Sequence, residues 1–460
     1  MLCFRKITAL LMACVCFFAV TPIPEAAALT IQEEKELAEE FLQTVRKRYK
    51  IIEDPAVANY IQKIGDRIVA KLPPQAFDYH FYVIEQDAYN AFAGPAGNIF
   101  VHSGLFEALD HEGELAALLA HEIAHSSCRH IAKMIEDSKK TNIGTLAGLV
   151  AGILIGLGGA SSVGSAVAIG SMAAGQSAQL AYTREKEMQA DQIGRHYLQA
   201  AGYNLHSMLS LLKTIRRQEW FSTEQIPTYL RTHPATEERL TYLASTLSDQ
   251  PAPPPKDSYG FQRARARLLA LYGNPEKALV EFRKKVSTRP GDPMAHYGYG
   301  LALERNGNPK AAVKQLRIAH SAHPNDPYIT EDLGLVHFLN GNYEKSLEIL
   351  QQTARYPETG RVGRLYLGRA QLELGKTEAA LETFKQLVTA YPDYRQGLYF
   401  LGKSYAEVND PGNAHYYMGL YHMKREDREP AVHHFKEALK HLSDKEKRKK
   451  INELLKNPKA

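Results

Sequence analysis

Residues 121–125 read His121-Glu122-Ile123-Ala124-His125, two imidazoles four positions apart with a carboxylate next to the first. The run before them, Leu115-Ala116-Ala117-Leu118-Leu119-Ala120, consists of strong helix formers. On a helix His121 and His125 lie one turn apart on the same face, so both rings can hold one divalent metal. Glu122 then stands where it can take a proton from a water activated by that metal. Asp110 is the expected N-cap, with Glu112 and Glu114 near the positive end of the helix dipole. Taken alone, the motif is equally compatible with a chance match on a core helix.

A catalytic zinc site needs a third protein ligand and an open position for water. Glu187 and Asp191 are one turn apart in the run Arg184-Glu185-Lys186-Glu187-Met188-Gln189-Ala190-Asp191. By spacing alone this is either a solvated charged face or a ligand with a supporting carboxylate behind it. His233 precedes Pro234, which by itself reads as a surface turn. Cys128, three residues beyond His125, is rotated about 60° from it and reads as a packed thiol. His130 and His196 are placed off the metal-facing side by the same helical geometry. Asn98, Ile99, Phe100 and Val101 form a strand that either pairs with an extended substrate peptide or is internal.

The elements that must position these groups are mostly helical. Residues 29–72 read as charged helix with an apolar stripe at Ile51, Ile61, Ile64 and Ile68. Residues 79–83 (Tyr-His-Phe-Tyr-Val) suit a strand, and Gly94-Pro95 and Gly97-Asn98 mark turns before the second one. A small sheet therefore leads into the motif helix. A second helix spans about 177–201 and is stopped by Gly202. Between the two, residues 143–183 carry no charged side chain, and Gly144, Gly148, Gly152 and Gly156 form a small-residue ridge. The first arm of this run would reach only about 22 Å as a helix, against about 30 Å of hydrocarbon. Residues 143–180 are expected to form a flap or a membrane-touching hairpin rather than a span.

Arg5 and Lys6 precede an apolar run, and Ala26-Ala27-Ala28 offers a cleavage site, so residues 1–28 read as a signal peptide. A lipoprotein reading at Cys14 competes, because Leu11-Met12-Ala13-Cys14 resembles a lipobox. Only Cys128 lies outside the leader, which excludes an intrachain disulfide in the processed chain. With 460 residues, more than one domain is expected. The net charge of +5 is mild and no basic block interleaves with aromatics, so nucleic acid is not an expected partner.

The first domain is read as 29–249, followed by a proline-rich linker at 250–257. Beyond it Gly273, Gly307, Gly341 and Gly375 recur every 34 residues, as do Gly300, Gly334, Gly368 and Gly402. Ala278, Ala312 and Ala380 fall on the same grid, and this is the tetratricopeptide signature. The repeats are placed at 258–440, with a basic tail at 441–460. Removing everything after 257 is expected to leave hydrolysis of a small peptide intact. The fold class is thus mainly α with a small β-sheet, followed by an α-solenoid.

Several spaced motifs coincide with one family. Asn90-Ala91-Phe92, Gly97-x-Ile99-Phe100-Val101-x-x-Gly104-Leu105, the H-E-x-x-H, Glu187-x-x-Ala190-Asp191 and His233-Pro234 with Arg239-Leu240 occur in the order seen in HtpX-like gluzincin metallopeptidases. With its leader and repeats the chain resembles the periplasmic BepA-type branch. Thr183 stands where that family often has Ser, a conservative departure. The resemblance implies one zinc ion per chain, with His121, His125 and Glu187 as ligands and Glu122 as the base. It implies that Asp191 orients a ligand histidine and that His233 can occupy the open zinc position and hold the enzyme inactive. It further implies an endopeptidase acting in quality control or assembly of outer-membrane proteins. The repeats would then recruit protein substrates or the assembly machinery. A non-proteolytic chaperone or scaffold acting through the repeats is the alternative.

Overall fold

Asp54 and Pro55 cut the expected long N-terminal helix in two. In the computed structural model Thr30 opens α1 (Ile31–Arg48) with a reciprocal capping box to Glu33, and Asp54 caps α2 (Pro55–Val69). Leu37, Phe41 and Val45 of α1, and Ile61, Ile64 and Ile68 of α2, face the interior. The structure describes residues 29–137, 184–221, 228–234, 237–247, 258–353, 356 and 359–456. The expected signal peptide, the 143–180 flap and the 250–257 linker lie outside these residues. Among the described residues no helix is long and apolar enough to cross a membrane.

Three strands follow: β1 (His80–Ile84), β2 (Ala91–Ala93) and β3 (Asn98–His102). Their order is β1-β3-β2, with β1 parallel and β2 antiparallel to β3. The chain turns from β2 into β3 through Ala96 and Gly97, both at positive φ. A Cβ on Gly97 would lie 2.4 Å from the Asp78 carbonyl, so the turn requires glycine. This topology corrects one expectation. Asn98, Ile99, Phe100 and Val101 lie on the central strand, buried and paired on both sides, so no substrate strand can add there. β1 and β2 are the outer strands, and β1 is bridged on its outer side at Ile51–Ile84.

After α3 (Ser103–Ala108) comes the motif helix α4 (Glu112–Ser127). It is buried on every side from Glu114 to Ser126. His111, not Asp110, is its N-cap, and it makes no side-chain cap. Glu114 reaches back instead, accepting the Asp110 N–H at 2.8 Å, while its other oxygen takes Ser210 and Thr214 hydroxyls at 2.5 and 3.0 Å. Asp110 is drawn outward to Arg217, 3.0 Å away. Around α4 pack the sheet, α5 (His130–Asp137), α6 (Arg184–Ala200), α7 (His206–Phe221), α8 (Thr228–Thr232) and α9 (Glu237–Ser245).

Twelve helices complete the described chain: α10 (Tyr259–Leu271), α11 (Pro275–Thr288), α12 (Pro293–Arg305), α13 (Pro309–Ala322), α14 (Pro327–Leu339), α15 (Tyr343–Thr353), α16 (Gly360–Glu373), α17 (Thr377–Ala390), α18 (Arg395–Glu407), α19 (Pro411–Met423), α20 (Arg428–His441) and α21 (Lys445–Lys456). The 34-residue glycine series has a steric cause. A Cβ at Gly300, Gly334 or Gly368 would come within 2.6 Å of Leu316, Leu350 or Phe384 on the paired helix. The second series, at Gly307, Gly341 and Gly375, ends helices in the left-handed conformation, with φ of 69 to 76°.

The first repeat helix is also part of the N-terminal core. Phe261, Ala264 and Leu268 of α10 share one apolar cluster with Leu115, Leu118 and Ile123 of α4. Phe261 stacks on Phe106 with centroids 5.7 Å apart. Buried Arg267 joins the two halves: it bonds Asp54 at 2.7 Å, the Tyr297 hydroxyl at 2.8 Å, and Asp332. Neighbouring Glu331 is pushed up to about 8 by burial and then by Asp332, so at neutral pH it adds little negative charge to this seam. Arg361 adds a bridge to Glu53 at 3.2 Å. Cutting the chain at 257 would therefore remove one wall of the N-terminal core, contrary to the expectation that the halves are separable.

Candidate metal centre

The uninterrupted apolar run 115–120 makes α4 a fully buried helix, and it brings His121 and His125 to one face with Nε2 atoms 3.1 Å apart. Opposite them runs α6. Gly194 allows this close approach, because a Cβ there would lie 3.0 Å from the Ala120 carbonyl. The crossing delivers Glu187, whose oxygens are 3.5 Å from His121 Nε2 and 3.3 Å from His125 Nε2. One turn further on, Asp191 Oδ1 sits 3.0 Å from His121 Nδ1.

His233 closes the cluster from the turn after α8. Its backbone N–H donates to the Tyr229 carbonyl at 2.7 Å, its ring stacks on the Tyr229 ring at 4.6 Å, and its Nδ1 is 2.9 Å from Glu187 Oε1. His121, His125, Glu187 and His233 each offer a ligand atom, all within 4.8 Å of one another, and all four are buried. From α9, Arg239 grips Asp191 through two parallel bonds of 2.7 and 2.8 Å and reaches Glu187 at 2.6 Å.

The cluster is built for a cation. Glu122 is fully buried, and neither carboxylate oxygen has a hydrogen-bond partner. Burial alone would strip His121 of a proton, yet hydrogen bonds to Asp191 and Glu187 outweigh it and raise its pKa to about 10. Glu187 is held well below the ordinary carboxylate range: burial opposes this, but the charges of His233 and Arg239 and the imidazole hydrogen bonds prevail. A compact, buried set of imidazoles and one carboxylate suits zinc.

Sequence reasoning leaves two residues of this site without a role: Arg239, present there only as part of the family pattern, and His130. His130 was placed off the metal-facing side by continuing the helix through it. The helix instead ends at Ser127, and Arg129 turns left-handed at φ 53°. His130 therefore opens α5 and swings its Nδ1 to 2.9 Å from His125 Nδ1, with its Nε2 2.9 Å from Gln189 Oε1 on α6. If His125 turns Nε2 to a metal, its Nδ1–H donates to His130, and His130 passes its own Nε2–H to Gln189. His130 thus does for His125 what Asp191 does for His121. Replacing His130 by Ala is expected to weaken zinc retention about 10- to 100-fold, read by competition with a chromogenic chelator. Unchanged zinc affinity would remove His130 from the site. His196 is exposed, as expected, and Cys128 is half-buried outside the four-residue cluster.

The chain is similar to several known proteins. The profile of Peptidase family M48 matches residues 55–247. Tetratricopeptide repeat profiles match 260–327, 300–358 and 363–394. The chain is 31% identical to the beta-barrel assembly-enhancing protease of Yersinia pestis over 279 residues, 60% of this chain and 57% of that one. The protein of the same name from Escherichia coli (strain K12) is 30% identical over 254 residues, 55% of this chain and 52% of that one. The mitochondrial metalloendopeptidase OMA1 of Schizosaccharomyces pombe is 23% identical over 232 residues, 48% of this chain and 63% of that one. The chain thus spans somewhat over half the length of the first two relatives. Among solved structures, a crystal structure of MamA matches 36% of the chain and 96% of its own length, with 16% identity and a TM-score of 0.32. YrrB, described as a tetratricopeptide protein with an unusual peptide-binding site, matches 38% of the chain and 89% of its own length, with 21% identity and a TM-score of 0.33.

Proposed function

We propose that this chain, a peptidase family M48 domain joined to tetratricopeptide repeats, is a zinc-dependent endopeptidase. The single observation behind this reading is the convergence of Glu187 on His121 and His125, with Glu122 adjacent and unpartnered in a hydrogen-bonding sense. His121, His125 and Glu187 would hold one zinc ion, which when bound supplies a Lewis acid that acidifies water and polarises a carbonyl. Glu122 accepts the proton of the water whose oxygen adds to the scissile carbonyl carbon, and returns it to the amine as the C–N bond breaks. Asp191 fixes the Nδ1–H of His121, and Arg239 holds Asp191 and Glu187 in register. His233 is the fourth group at the centre and, in this reading, must leave it before a substrate carbonyl can enter.

The working place proposed is the bacterial periplasm, supported by the leader-like residues 1–28. The names of the relatives from Yersinia pestis and Escherichia coli support substrates or partners in β-barrel assembly, with the repeats as the recruiting arm. One experiment tests the core of this reading. The purified parent and a His233→Ala variant are analysed for metal and for casein cleavage, with and without a chelator. About one zinc per chain, chelator-sensitive cleavage, and faster cleavage by the variant are expected. Cleavage that survives complete metal removal would end the zinc reading. A slower variant would end the gating role of His233 alone.

A further inference from the structure

A cavity of about 930 Å³ opens between the C-terminal repeats, far along the chain from the metal ligands. Its walls include Arg361, Arg395 and Arg425 together with Tyr391, Tyr394 and Tyr421. Its acid, Asp393, is 80% exposed and already paired with Lys424 at 2.6 Å. Arg361 lies over the Tyr394 ring at 5.1 Å, and Arg425 over the Tyr421 ring at 5.5 Å while donating to its hydroxyl. Arg361 is also paired with Glu53 at 3.2 Å and Arg425 with Asp427 at 2.9 Å, both half-exposed pairs that water screens, so the rings hold guanidinium groups that an incoming anion can still reach.

The cationic charge stands where the backbone disfavours it. Arg361 and Arg395 occupy the first turns of α16 and α18, at the positive ends of the helix dipoles. Neither helix has a side-chain cap or an acid in its first turn. The equivalent helices of the two preceding repeats, α12 and α14, are capped by Asp292 and Asp326. Along one solenoid, then, two acid-capped helix starts give way to two arginine-bearing ones that open on one cavity. Among the described residues no acid pairs with Arg395. At α16 the Gly363 N–H already meets the Glu331 carboxyl, so an anion entering here gains the Arg395 guanidinium together with the uncapped first turn of α18.

We propose that this cavity is a docking site for an extended polypeptide segment bearing several carboxylates and aromatic side chains. The carboxylates meet Arg395 directly and exchange with Glu53 and Asp427 at Arg361 and Arg425, while the aromatic side chains meet the tyrosine faces. A volume near the top of the roughly 300–1,000 Å³ range of ligand pockets suits a short run of residues. The recess and its aromatic walls favour a peptide over a lipid surface, which would need only an exposed basic face. This deepens the recruiting role proposed for the repeats and rests on it, but its test does not depend on hydrolysis. Arg361 also bridges to Glu53 ahead of α2, so the site adjoins the seam with the peptidase domain.

Fluorescence anisotropy on the full chain tests the proposal. The probes are labelled octapeptides of alternating Glu and Tyr, and matched Lys/Tyr and Gln/Tyr peptides. The acidic peptide is expected to bind about tenfold or more tighter than either control, and to weaken with salt. The double substitution Arg395→Gln, Arg425→Gln should weaken it by about tenfold and flatten the salt dependence, with an unchanged melting temperature. Equal binding of the three peptides, or no effect of the double substitution, overturns the proposal. Binding of anionic phospholipid vesicles through the same arginines, without preference for the acidic peptide, overturns it in favour of a membrane contact. Loss of casein cleavage with acidic-peptide binding retained would count against the peptidase reading and leave this one standing.

Discussion

Glu122→Gln is expected to lower casein cleavage by about 10²- to 10⁴-fold while zinc content stays at the parent level. Gln keeps the shape of Glu122 but cannot accept the proton of the attacking water or deliver one to the leaving amine. The ligand set does not include Glu122: His121, His125, Glu187 and His233 converge without it. Loss of activity should therefore separate from loss of metal. The substitution should also be mild for folding, or stabilising, because Glu122 is buried with both oxygens unbonded. Melting curves and metal analysis on the same sample check this. Activity within a few-fold of the parent would show that another group moves the proton.

Arg267→Ala should cost about 3–5 kcal/mol of stability, the range seen when one member of a buried ionic network is removed. Arg267 is the only bridge described here that touches Asp54, Tyr297 and Asp332 at once. Without it two buried carboxylates face each other across the seam. Asp54 carries a second duty, since its other oxygen caps α2 through the Ala56 N–H at 3.0 Å. Asp54→Asn keeps an acceptor for that cap while removing the charge, so it should cost less than Arg267→Ala. Combining Arg267→Met with Asp332→Asn should recover part of the loss, because fewer unpaired charges remain. Chemical denaturation gives these values. A cost below about 1 kcal/mol for Arg267→Ala would mean that the seam is solvated and the halves are held mainly by Phe261 and its neighbours.

This seam is where reading the sequence went furthest astray. The proline-rich stretch at 250–257 suggested two independent units. Composition marks where a chain can bend, but it does not reveal which side of the next helix is buried against what. Helix α10 has repeat-like neighbours on one face and the N-terminal core on the other, and only packing shows both. The same gap affected β3. Alternation and turn residues identified a strand at 98–101, yet whether a strand is an edge or a centre depends on where β1 and β2 come to rest. His130 shows a third form of the problem. Helical projection is reliable only while the helix lasts, and a single left-handed residue, Arg129, moved the ring from the far side to the back of His125.

What the amino-acid order determined by itself was local and periodic. Two imidazoles one turn apart on an apolar helix share a face because of the 3.6-residue period. Glycines every 34 residues imply stacked helix pairs because only glycine admits the paired helix at those points. Tertiary structure decided everything that needs two distant segments to meet. Glu187 joins the imidazoles because α6 crosses α4 at Gly194, and Arg239 and His233 join them because the chain returns after α7. Such meetings are selected by the summed burial of whole helix faces, and no short stretch of sequence contains that sum.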